Sequence, residues 1–263
     1  MLPVFLAEPI RSFVCLLGDF TLFTGETIRN LARLGVRRGL FLKHCEFIGV
    51  TSTGIIAIAA MFMGGVLGYQ LYVSFKYFGA EALLGGSVGV SLFRELGPVM
   101  AAIMVTGRAG AAMAAELATM RVTEQLDALE VMAVDPMEYL VAPRVAAGTL
   151  MMPLLSVLFS MVASIAAAVV ACGVMGLDST VFWTQFAKVV DKIDIIHCLV
   201  KGSVFGLILS LIACFCGFNV QGGARAVGLA TRNTVVATCL TILLSDYILT
   251  SLLPFGFSRL KVN

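Results

Sequence analysis

The chain has 263 residues, of which 59% are hydrophobic and only 13% charged, and its mean hydropathy is +0.99. Soluble domains average about 45–50% apolar and about 25% charged residues, so this composition excludes an ordinary soluble domain and reads as an all-α, polytopic membrane protein. The net charge of +2 is dispersed along the chain and gathers into no basic surface, which excludes nucleic acid as a partner.

The first residues, MLPVFLAEPIRSFVC, break their apolar run with Glu8 and Arg11 and place Val14 before Cys15. Neither a cleaved signal peptide nor a lipoprotein site is expected from that pattern. Apolar side chains then recur at helical spacing (Phe13, Leu16, Leu17, Phe20, Phe23, Leu31, Leu34), with Arg29, Arg33, Arg37, Arg38 and Lys43 toward the far end. Residues 1–44 therefore predict an amphipathic helix on the cytoplasmic leaflet, held by its basic residues. A lead-in helix packed on the rest of the protein is the other reading.

A helix needs roughly 20 apolar residues to cross the hydrocarbon core. Five stretches qualify, at 46–75, 83–115, 145–175, 195–218 and 227–253. The first carries Gly64 and Gly68 at a spacing that suits close helix approach but also occurs as ordinary membrane glycine. Arg94, Glu95 and Arg108 interrupt the second, Lys201 lies in the fourth, and Asp246 lies in the fifth, which has Arg232 near its start. Five spans put the termini on opposite sides. Ten Lys and Arg residues fall on the N-terminal side and five on the other, which favours a cytoplasmic N-terminus and a periplasmic C-terminus.

Between the second and third spans, residues 116–133 form a charged, helix-forming insert with Glu116, Arg121, Glu124, Asp127 and Glu130. Val122, Leu126, Leu129 and Ala133 make one apolar stripe, which predicts a short amphipathic helix on the cytoplasmic face. Such a helix suits contact with a soluble motor; a plain solvated loop helix has the same composition. Asp135-Pro136-Met137-Glu138 reads as a helix start, with Asp135 as the cap and Pro136 at the first helical position, and Pro143-Arg144 marks entry to the third span. Residues 178–193 predict a further short helix, capped by Asp178 or Ser179, that carries Trp183 at the outer surface. Leu253-Pro254-Phe255-Gly256 ends the fifth span and leaves a short basic tail.

The stretch from Glu95 to Pro136, ELGPVMAAIMVTGRAGAAMAAELATMRVTEQLDALEVMAVDP, together with PRVAAGTLMMPLL at 143–155, resembles the MlaE family. These are permease subunits of ABC systems that move phospholipids between the inner and outer membranes of bacteria. The resemblance implies an inner-membrane homodimer with a central lipid cavity, an interfacial N-terminal helix, five transmembrane helices and a coupling helix that docks in a groove of a cytoplasmic ABC ATPase. On this sequence the coupling residues correspond to Glu116, Arg121, Glu124, Leu126, Asp127, Leu129 and Glu130. It also implies a periplasmic ring of MCE-domain subunits, against which the helix at 178–193 packs unless it anchors in lipid, and in several systems a STAS-domain protein on the ATPase. The sequence contains no GxxxxGK[ST] phosphate loop, so ATP and Mg belong to the partner and this chain is expected to be no enzyme and to bind no cofactor.

A lone charge at the bilayer centre costs at least roughly 2.5–3.5 kcal/mol, so ionisable residues inside spans are paired or wet. Arg94, Glu95, Lys201 and Asp246 are the site candidates, and the resemblance places them at the lining of the lipid cavity. The expectation is that Glu95 and Asp246 balance Arg94 and Lys201, with a lipid phosphate competing for the basic pair; static ion pairs that only fix helix packing are the competing account. Arg108 is expected near the cytoplasmic end of its span, reaching toward head groups in a structural role. A proton-coupled carrier using Glu95, Asp246 and Lys201 is the alternative function, although carriers commonly show internal repeats and none is evident here. His44 and His197 have no nucleophile or acid constellation around them, and the seven cysteines have no metal-ligand spacing.

Overall fold

The computed structural model describes residues 2–32 and 38–252, with side chains described for 14–31 and 38–252. The expectations placed on the side chains of Glu8, Arg11 and Phe13, on Arg33, Leu34 and Arg37, and on the tail after residue 252 lie outside what is described. All regular structure among the described residues is helical. Helix α1 spans Leu2–Ala32. Five long helices follow that meet the length and hydropathy of membrane spans: α2 (Arg38–Lys76), α3 (Glu81–Val122), α5 (Met137–Val174), α7 (Lys192–Phe218) and α8 (Ala224–Leu252). Two short helices lie between them, α4 (Gln125–Val131) and α6 (Ser179–Val189).

At 1.5 Å per residue the 42 residues of α3 run far beyond a hydrocarbon core about 30 Å thick. Part of α3 therefore stands clear of that core, and Glu116 and Arg121, expected in a separate surface helix, belong instead to α3. No Gly or Pro interrupts the sequence between Gly110 and Val122, so nothing stops the helix until Thr123.

The long helices are not uniform. Wider π turns occupy Glu46–Val50 in α2, Leu92–Leu96 and Thr106–Gly110 in α3, and Met137–Val141 and Val169–Val174 in α5. Such turns displace backbone carbonyls from the regular ladder and recur at functional sites. The Leu92 carbonyl accepts a hydrogen bond from Ser160 Oγ of α5 at 3.1 Å, and the Phe47 carbonyl accepts one from Arg108 Nη1 of α3 at 2.9 Å.

Helices α5 and α7 form the middle of the bundle, and small residues set its contacts. Gly64 and Gly68 of α2 face Ala163 and Ala167 of α5 so closely that a Cβ on Gly68 would lie 2.8 Å from the Ala167 carbonyl oxygen. The Gly-x-x-x-Gly spacing is thus a helix interface within the chain. Helix α6 lies on α3, where a Cβ at Gly89 would meet the Phe186 ring and Val190. Asp178 caps α6 by accepting from the Thr180 amide at 2.7 Å, and Phe182 is fully buried beneath it. Trp183 packs edge-on against Phe182 and Phe186 with its outer part exposed.

At the opposite end, α1 presents Phe20, Phe23, Thr27 and Asn30 on one stripe. Phe20 and Phe23 meet the Phe215 ring edge-on at 5.3 and 5.5 Å, and the Asn30 amide donates to Asp135 at 3.4 Å. Leu16, Leu17, Leu22 and Ile28 of α1 are left exposed. Helix α8 buries only the stripe Ala230, Thr234, Thr238 and Ile242, while Val236, Leu240, Leu243, Leu244 and Tyr247 are exposed.

Candidate functional site

Lys201 is placed by the start of α7. Asp191 and Asp194 form a reciprocal capping box there, in which Asp194 Oδ2 accepts from the Asp191 amide at 2.9 Å. Two turns further on, the Lys201 side chain is 2% exposed and its ammonium donates to three acceptors. These are Glu95 Oε2 at 2.6 Å, Asp246 Oδ1 at 2.8 Å and Thr250 Oγ1 at 2.7 Å. Thr250 completes the group by donating to the Glu95 carboxylate at 3.2 Å. Every donor of the ammonium is used, which a charge buried in an apolar bundle requires.

Three of the four predicted residues, Glu95, Lys201 and Asp246, therefore meet at one point where α3, α7 and α8 converge. The fourth does not share it. Arg94, the neighbour of Glu95, points to Asp194, whose Oδ1 receives Nε at 2.5 Å. Both carboxylates thus go to Lys201, and Arg94 is balanced by Asp194, which lies just before the predicted fourth span. The Asp-x-x-Asp of the capping box, set directly before an apolar run, was the available signal for Asp194. Thr250 carried no signal, since hydroxyls are common in spans.

The cluster is closed on one side and open on another. Lys201 and Asp194 are buried, whereas 37% of the Glu95 side chain is exposed. Glu95 meets α8 through Thr250, and α8 is the least buried of the five spans. A ligand with a phosphate would meet Glu95 and Asp246 before Lys201 and would have to displace a carboxylate to reach the ammonium. Asp194 carries both the Arg94 contact and the cap. Asp194→Asn is expected to cost about 2 kcal/mol in thermal unfolding, and the double change with Arg94→Gln to cost less than the sum of the two single ones. Strict additivity would show that the two side chains do not interact.

Arg108 has a different neighbourhood from the one expected. Its Nη1 donates to the Phe47 carbonyl and to Ser52 Oγ at 2.8 Å, with the guanidinium 5.1 Å from the Phe47 ring centre. It ties α3 to α2.

The residues predicted for coupling divide among three settings. The helix expected over 116–133 is broken at Thr123, and α4 begins after Glu124, whose φ of 58° is left-handed; Ala133 after α4 has φ 57°. A non-glycine residue costs roughly 1–2 kcal/mol in that region. Two contacts offset the break: Leu126 is fully buried against Leu117, Val141 and Val145, and Arg121 reaches across the hinge to Asp127 at 2.7 Å. Leu129 packs on the same apolar group. Glu124, Asp127 and Glu130 are exposed, and Glu130 lines a groove of about 420 Å³ with Asp19, Glu26, Asp135, Phe215 and Phe218. Glu116 turns inward to Arg144 Nη2 at 2.9 Å, a contact sequence reading missed because Arg144 had only marked the start of a span.

A helical bundle with five helices long and apolar enough to span a membrane, and a satisfied charge cluster where three of them converge, defines a multi-pass membrane protein. The family described as Permease MlaE matches residues 41–252, and the chain belongs to that family. It is 40% identical over 235 residues to a probable ABC transporter permease protein of Rickettsia felis, covering 89% of this chain and 91% of the relative. Over 218 residues it is 40% identical to the intermembrane phospholipid transport system permease protein MlaE of Haemophilus influenzae, with 82% and 83% covered. A chloroplast protein of Arabidopsis thaliana, TRIGALACTOSYLDIACYLGLYCEROL 1, is 32% identical over 230 residues, 88% of this chain and 66% of the relative.

Proposed function

We propose that this chain is the membrane-spanning subunit of an ATP-driven phospholipid transporter between the inner and outer membranes of a bacterium. The observation that carries the reading is the Lys201 cluster, buried on three helices yet open at Glu95 beside the sparsely covered α8. A second copy packed along α8 would enclose that opening and make a cavity shared by two subunits. Within it Arg94 and Lys201 supply positive charge for a phosphate, while Glu95 and Asp246 set the threshold a head group must overcome. The function named for the Haemophilus influenzae relative supports the choice of phospholipid.

The chain sits in the inner membrane with its N-terminus and α4 in the cytoplasm and its C-terminus in the periplasm, following the Lys and Arg asymmetry. Helix α1 lies along the cytoplasmic leaflet with Leu16, Leu17, Leu22 and Ile28 toward lipid. Helix α4 docks on a cytoplasmic ABC ATPase through its outward residues Glu124, Asp127 and Glu130, held in place from within by Leu126 and Leu129 and from α3 by Arg121. ATP and Mg bind on that partner. A ring of MCE-domain subunits sits on the α6 side, and a STAS-domain protein binds the ATPase.

The test is reconstitution of the chain with its ATPase in phospholipid vesicles. Leu126→Asp buries a carboxylate with no partner and is expected to dislodge α4, and Glu124→Lys reverses its outer charge. Each is expected to lower ATP-driven lipid transfer by about tenfold or more, the equivalent of about 1.4 kcal/mol. Transfer by the isolated chain that needs no ATP and follows a proton gradient would overturn this reading in favour of a carrier using Glu95, Asp246 and Lys201.

A further inference from the structure

We propose that the Arg144–Glu116 ion pair is a tie that carries movement of α4 into the two spans on either side of it; the proposal rests on α4 being the ATPase contact. The residues flank α4 in sequence and meet in space. Glu116 stands in the last turns of α3, and Arg144 stands early in α5. Arg144 Nη2 holds Glu116 Oε2 at 2.9 Å, while its Nη1 donates to the Leu140 carbonyl at 2.9 Å, inside the π turn Met137–Val141. One guanidinium thus links the end of α3 to the π turn that opens α5 directly after α4.

The arrangement is costly in a way that packing alone does not require. Arg144 is 1% exposed, and its Nε has no hydrogen-bond partner among the described residues. An apolar side chain would fill the position without leaving a buried donor unmet. The segment the tie spans is also held in a sparsely populated backbone, with Glu124 and Ala133 left-handed at the two ends of α4. A short helix with fixed hinges transmits displacement only if its two supports keep their separation. Without the tie, α3 and α5 would part at this end and absorb the motion.

Glu116 is the residue to change, because 57% of its side chain is exposed and its replacement leaves the core intact. Glu116→Gln keeps a neutral acceptor for Arg144 but removes the charge opposite it; Glu116→Asp keeps the charge. Lipid transfer and ATP hydrolysis are measured together on the full complex in phospholipid vesicles, with assembly followed by co-purification. Glu116→Gln is expected to assemble and hydrolyse ATP like the parent while moving about fivefold less lipid per ATP, within the range by which coupling residues modulate their networks. Glu116→Asp is expected to stay within about twofold, and Arg144→Lys, which reaches Glu116 or Leu140 but not both, to fall between them. An unchanged ratio in Glu116→Gln overturns the tie, and so does a proportional loss of transfer, hydrolysis and assembly, which marks a purely structural contact. A parent complex with no ATP-driven transfer overturns the ATPase reading as well. A parent that transfers lipid, a Leu126→Asp variant that does not, and a Glu116→Gln variant with the parental ratio overturn the tie alone.

Discussion

Lys201→Met is expected to abolish lipid transport and to lower unfolding stability by about 3–5 kcal/mol, because it leaves two carboxylates facing each other without the cation between them. The methionine approximates the aliphatic stem of the lysine and makes none of its three hydrogen bonds. Glu95, Asp246 and Thr250 then lose the common donor that now holds α3 and α8 to α7. Stability and function are separable by neutralising the acids as well. Lys201→Met combined with Glu95→Gln and Asp246→Asn removes the repulsion and is expected to recover most of the lost stability, read by thermal unfolding in detergent. Transport is expected to stay at least about tenfold down, since the phosphate loses Lys201 and keeps only Arg94, which Asp194 already holds. A neutral triple variant that transports lipid at the parental rate would reduce the cluster to packing.

The second large effect is a change of sign between neighbouring glycines. In an exposed helix interior Gly→Ala stabilises by roughly 0.5–1 kcal/mol, because alanine has less conformational freedom to lose. Gly65→Ala is expected to follow that rule: its Cβ would stand 3.5 Å from Val170 Cγ2, an ordinary contact. Gly64→Ala is expected to destabilise by about 3 kcal/mol, the upper end of the overpacking range. Its Cβ would fall on the backbone carbonyl of Ala163, which cannot turn aside as a side chain would. Equal melting temperatures for the two variants would mean that α2 and α5 do not approach as closely as described. The same close approach at Gly68 makes that position respond like Gly64.

The membrane spans were legible because long apolar runs have few other uses, and the start of α5 was legible because its signals are local. Asp135 does accept from the Met137 amide, at 2.8 Å, as the Asp-Pro pair suggested. What the sequence hid depends on distance or on backbone. Thr123 and Glu124 contain neither glycine nor proline, so the break between α3 and α4 had no compositional mark; it exists because Leu126 must turn into the apolar group around Leu117. The expectation that Glu95 and Asp246 balance Arg94 and Lys201 anticipated the meeting of Glu95, Lys201 and Asp246 but not the pairing within it. Which acid served which base was decided by Asp194, a residue whose role in starting α7 placed it within reach of Arg94.

The π turns of α2 and α3 bear on how such a bundle moves. The Phe47 and Leu92 carbonyls each receive a side chain from a neighbouring helix, Arg108 and Ser160. A helix that slid by one residue would rotate by about 100° and shed such a bond in a medium with no water to replace it. Axial slippage and independent twisting are therefore the expensive motions for this protein. Rocking of whole groups of helices, with these side-chain stitches intact, is the inexpensive one.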